Sequence, residues 1–78
     1  MSHSVYTVDF KKTQINICFI EIAGYDAISD SSFSAVIKFL NNKPYGDILH
    51  PSRSSLSSEC REYVRLFLMD QYNSGAYN

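Results

Sequence analysis

The stretch Ile15-Asn16-Ile17-Cys18-Phe19-Ile20-Glu21-Ile22 constrains the fold more than any other part of the chain. It is the most apolar run in the sequence and is dense in β-branched side chains, the composition of a strand. Successive side chains of a strand point to opposite faces. Ile15, Ile17 and Phe19, ending at Glu21, therefore share one side, and Cys18, Ile20 and Ile22, beginning at Asn16, share the other. A strand with one solvated face alternates cleanly between apolar and polar residues. This one does not, so both of its faces need cover.

The flanking segments supply candidates for that cover. In Val5–Phe10, Tyr6, Val8 and Phe10 form an apolar face opposite Val5, Thr7 and Asp9, the pattern of a half-buried strand. The polar Lys11-Lys12-Thr13-Gln14 predicts a hairpin turn into the central strand. Gly24 suits the unusual dihedrals of an exit from the sheet. Ser29, Asp30, Ser31 and Ser32 then offer caps for a helix over 31–41, whose stripe Phe33, Val36, Ile37 and Leu40 has i, i+3, i+4, i+7 spacing. Asn41, Asn42 and Pro44 predict its end.

The segment Tyr45 to Pro51 reads as a loop with one short extended piece at Ile48 and Leu49. Capped by Ser55, a second helix is predicted over 56–72, with Leu56, Cys60, Tyr63, Val64 and Phe67 on one stripe and Ser58, Arg61, Glu62 and Arg65 opposite. Past Arg65 the run Leu66-Phe67-Leu68-Met69 is apolar around most of the circumference and Tyr72 extends it. The expectation is a single α+β domain over 1–78, ordered β-β-α-(β)-α, with an antiparallel β-hairpin, an optional short third strand, two α-helices, and flexible residues 1–4 and 73–78.

Composition narrows the function classes. Among 78 residues, 45% are apolar and six Tyr and five Phe are present, enough for one compact core. Seven Lys and Arg against eight Asp and Glu leave a net charge of −1, so no bulk field draws the chain to nucleic acid or to an anionic membrane. The two cysteines, Cys18 and Cys60, fall at core positions and read as reduced thiols. No run reaches the ~18 apolar residues of a membrane span and no secretory leader pattern is present, so a cytoplasmic protein is expected.

No catalytic motif stands out. The sequence has no nucleophile elbow, no glycine-rich phosphate loop, no HExxH and no CxxC. A triad of His50, Asp47 and a serine from 52–58 has only nearness in sequence in its favour, whereas a triad is defined by geometry. Cys18, Cys60, His3 and His50 lack the paired spacing of zinc ligands. Arg53 with Ser54-Ser55 at a helix start has the makings of an anion site, though a cap beside an arginine is the better explanation. The expectation is a non-enzymatic protein with no metal, no cofactor and no small-molecule substrate.

What remains is apolar surplus, which on a small protein marks an association surface. The leading expectation is a small protein-binding module, an adaptor or inhibitor, acting through Tyr25, Tyr45, Leu68, Met69 and Tyr72 with Arg61 and Arg65 as rim charges, and taking as partner another protein or a second copy of itself. Small, near-neutral, motif-free and aromatic-rich domains are of the kind that phages and other mobile elements direct at host defence complexes. That reading rests on size and composition and on no likeness of sequence. The alternative is a nucleic-acid-associated protein whose local basic patch combines Lys11, Lys12, Arg53, Arg61 and Arg65.

Overall fold

The computed structural model describes residues 2–77. Four strands, β1 (Ser4–Gln14), β2 (Ile17–Asp26), β3 (Ser31–Leu40) and β4 (Lys43–Tyr45), form an antiparallel meander in the order β1-β2-β3-β4. A 3-10 turn over Asp47–Leu49 leads to one helix, α1 (Ser58–Asn73), which lies across one face of the sheet. The class is α+β, as expected, with one α-helix instead of two. No helix among the described residues is long and apolar enough to cross a membrane.

The segment expected as the first helix is β3. Phe33, Val36, Ile37 and Leu40 have helical spacing, but Phe33, Ala35, Ile37 and Phe39 also alternate, and pairing decides between the two patterns. As a strand, Ser31–Leu40 pairs with β2 along its whole length, placing Ile37 beside Ile20 and Phe39 beside Cys18. Asn41 and Asn42 then take positive φ, 51° and 71°, the signature of a two-residue type I′ hairpin turn into β4. The left-handed tendency expected to stop a helix here turns a strand.

The first hairpin also turns later than expected. Lys11 to Gln14 belong to β1, and the loop is Ile15-Asn16, with Ile15 at the tip and 85% exposed. The short extended piece expected at Ile48 and Leu49 is the 3-10 turn, and the extra strand lies just before it at Lys43–Tyr45. Gly24 sits inside β2 instead of ending it. A Cβ there would come within 2.2 Å of the Ser4 carbonyl oxygen and 2.6 Å of the Phe33 ring, so glycine is what lets β1 and that ring close in.

The core is a single layer between sheet and helix. Cys18, Ile20 and Ile22 of β2 and Ile37 and Phe39 of β3 meet Leu56, Cys60, Val64 and Leu68. Tyr77 completes the layer. Gly75 (φ 84°) ends α1 in a Schellman motif, with Ala76 N–H donating to the Gln71 carbonyl and Gly75 N–H to that of Tyr72. The chain then folds back, so that the Tyr77 hydroxyl bonds Thr7 Oγ1 at 2.8 Å and its ring lies 5.4 Å from that of Phe10. Within the stretch expected to be flexible, Asn73 belongs to α1, Ser74 and Ala76 are exposed, and Tyr77 is buried; the expectation at Met1 and Asn78 lies outside the described residues.

Candidate functional site

Two features invite a functional reading: a polar cluster at the start of α1, and the face of the sheet turned away from the helix.

The cluster forms because β2 ends on Asp26, a carboxylate with no exposed surface. Its Oδ2 accepts the Ser57 N–H at 2.7 Å, and its Oδ1 accepts the Ser57 hydroxyl at 3.0 Å and the N–H groups of Ile28 and Ser29 at 3.0 and 3.3 Å. Ser57, not Ser55, is the helix cap, its Oγ accepting from Cys60 N–H. Burial pushes the Asp26 carboxyl up, but these donors outweigh burial and hold it well below the usual carboxylate range. His3 Nδ1 accepts the Ala27 N–H at 3.0 Å, and its Nε2 lies 3.7 Å from Glu59 Oε1.

Donor atoms of His3, Asp26 and Cys60 lie within 4.8 Å of one another, close enough to suggest a metal centre. The carboxylate and the imidazole are already in use. Both Asp26 oxygens and His3 Nδ1 accept from the chain's own donors, and the buried Cys60 thiol is pushed up to about 11, first by burial and then by the charges of Asp26 and Glu59. The arrangement is a latch that ties the β2–β3 turn and the N-terminal residues to the helix start.

The remaining candidate chemistry does not assemble. His50 Nδ1 accepts the Ser52 N–H and Asp47 lies 3.5 Å from Arg53, which leaves no triad around His50. Lys11 and Lys12 lie on β1, Arg53 in a loop, and Arg61 and Arg65 on α1, where Arg65 is bound to Glu62. The five cations lie on three different parts of the chain, and Lys11 and Lys12, successive in a strand, point to opposite faces of the sheet.

Of the residues expected to face a partner, those of the helix are largely internal. Leu68 has no exposed surface, Met69 packs against the core, and Tyr72 stacks on Phe39 with ring centroids 4.5 Å apart. Arg61 is half-buried and Arg65 exposed. Tyr25 and Tyr45 lie elsewhere, on the sheet: Tyr25 is half-buried with its hydroxyl donating to Asp30, and Tyr45 is exposed on β4 beside Lys38.

Those two tyrosines lead to the second feature. The helix covers one face of the sheet, and nothing among the described residues covers the other. Here the register builds transverse rows. Lys11 pairs with Phe19, Phe19 with Lys38 and Lys38 with Tyr45, while the adjacent row runs Asp9, Glu21, Val36. Tyr6 flanks them on β1 opposite Ala23. Tyr6, Val36 (61% exposed), Tyr45 and Phe19 are the large apolar groups of this surface, and a shallow depression lies among Asp9, Lys11, Phe19, Glu21 and Val36. The Lys38 ammonium sits 5.9 Å from the centre of the Phe19 ring.

This face answers the demand for two-sided cover made by the central strand. Val36 was missed as a site candidate because β3 read as a helix, which placed it on an internal stripe, while Phe19 was placed on a strand face that needed cover and not singled out. Strand alternation through Phe33, Ala35, Ile37 and Phe39 was the signal that would have exposed it. Neither a protein-family model nor a curated protein nor a solved structure matches the chain.

Proposed function

We propose that the protein is a small non-enzymatic binding module, an adaptor or inhibitor, that presents the open face of its sheet to a protein partner. The observation that carries this reading is the bare face itself, on which Tyr6, Phe19, Val36 and Tyr45 stand in solvent among four charged side chains. An apolar centre flanked by charges is the anatomy of a protein contact. A sheet this small ordinarily buries an apolar face, and covering it with another protein removes apolar area from water at about 25 cal/mol per Å2.

A photo-reactive amino acid placed at Phe19 or Val36, with Glu62 on the outer helix surface as control, tests the reading in cells of the source organism. Adducts of defined mass from the sheet positions and none from Glu62 are expected. Equal adducts from all three positions, or none from the sheet, would overturn it.

A further inference from the structure

The charges of the open face are ordered. Lys11 and Lys38 flank Phe19 in one row, and Asp9 and Glu21 lie beside Val36 in the next, two residues along each strand. Among the described residues none of these four charges has an ion-pair partner. A surface directed at a partner of one charge carries one sign, whereas this one carries both in equal number and in adjacent lines. That is the arrangement an isologous contact requires, because a patch that meets its own copy must be complementary to itself.

We propose that the open face is the contact surface of a symmetric dimer of this chain. This inference rests on the reading of that face as a protein-binding surface and names its occupant. The sheets pack face to face about a two-fold axis that lies between them and crosses the strands between the two rows. The rotation keeps β1 over β1 and reverses the strand direction, so the acidic row of one copy faces the basic row of the other. Asp9 then opposes Lys11 of the second copy, Glu21 enters between Lys11 and Lys38 of the second copy, and Phe19 and Val36 fill the centre. Face-to-face sheets pack about 10 Å apart with interleaved side chains, the spacing such pairs need.

Size agrees. The molecule measures 36 × 23 × 16 Å. Strands of 11, 10, 10 and 3 residues at ~4.8 Å spacing and ~3.3 Å rise make a sheet face of about 540 Å2, at the small end for a specific contact and in keeping with a dimer that dissociates on dilution. The helices end up outside, and the Glu62–Arg65 surface of α1 stays free.

Sedimentation equilibrium over a concentration series tests this. A species of twice 8.9 kDa that dissociates on dilution is expected. Asp9→Lys sets like charges against each other at both symmetric positions and should weaken the dimer about tenfold or more, while Asp9→Lys with Lys11→Asp should return it to within about threefold of the parent. Val36→Asp should leave a folded monomer, checked by circular dichroism. A parent that stays monomeric, or a dimer indifferent to Asp9→Lys and Val36→Asp, overturns the proposal. A monomer that still forms Phe19 adducts with a foreign protein overturns the dimer alone and leaves the binding function standing.

Discussion

Asp26→Asn is the sharpest structural test of how the two layers are joined. The change is nearly isosteric, yet the buried Oδ2 that accepts the Ser57 N–H at 2.7 Å becomes an NH2 group facing another donor. Flipping the amide restores that bond and sets its NH2 against the N–H groups of Ile28 and Ser29, which Oδ1 now accepts. One hydrogen bond to a charged acceptor contributes about 1.5–3 kcal/mol. Removing a negative charge from the start of a helix adds about 0.5–1 kcal/mol. The total is about 2–4 kcal/mol, which for a domain of this size lowers Tm by about 10 °C or more.

The same residue gives a pH signature. Its carboxyl is depressed in the folded chain, so the unfolded chain, at about 3.9, takes up the proton first. The stabilisation is therefore complete above about pH 5 and drains away as pH falls below about 4. Thermal melts followed by circular dichroism between pH 3 and 7 are the assay. The parent should lose part of its advantage over Asp26→Asn, about 1 kcal/mol, by pH 3. Equal melting of parent and variant at pH 7 would refute the latch.

Three further outcomes are expected. Gly24→Ala forces the Ser4 carbonyl and the Phe33 ring away and should destabilise by about 1–3 kcal/mol in chemical denaturation, despite the better strand propensity of alanine. Tyr77→Ala uncovers the sheet end of the core and should lose about 3 kcal/mol, with Tyr77→Phe losing about 1 kcal/mol from the Thr7 bond alone. Cys18 and Cys60, both buried and both raised first by burial, should resist iodoacetamide at pH 7.5 and react together only on unfolding, as followed by mass spectrometry.

The hairpin of the first two strands and the C-terminal helix were legible because each has one dominant period. Tyr6, Val8 and Phe10 alternate, and Cys60, Val64 and Leu68 recur every turn. Even there the faces were misread, since a bulge between Thr7 and Asp9 puts Tyr6 on the open face and Phe10 on the helix side, so the single apolar face expected of Tyr6, Val8 and Phe10 does not form and all three are exposed. Ser31–Leu40 was not legible locally because its apolar residues satisfy both periods, and only pairing with Ile17–Asp26 selects one. The surplus at Leu66 to Tyr72 had a comparable origin. Much of its cover comes from within the chain, with Tyr72 on Phe39 and Leu68 facing the core, contacts between residues far apart in sequence. Gly75 was visible as a helix terminator, but that it returns Tyr77 to the sheet depends on where β1 lies. The open face was legible as a need, in a central strand with two apolar sides, and not as a place.

The central claim is that β3 has one side in the core and one side free to bind. Comparing the melting temperatures of Val36→Asp and Ile37→Asp tests it directly, because these neighbours differ in exposure from 61% to none. On a helix they would share one buried stripe. The account predicts that, at a dilution where the parent is monomeric, Val36→Asp melts within about 5 °C of the parent, while Ile37→Asp, which buries an unpaired carboxylate, loses more than about 4 kcal/mol and the cooperative transition with it. Similar losses from both substitutions, or a tolerated Ile37→Asp, would contradict it.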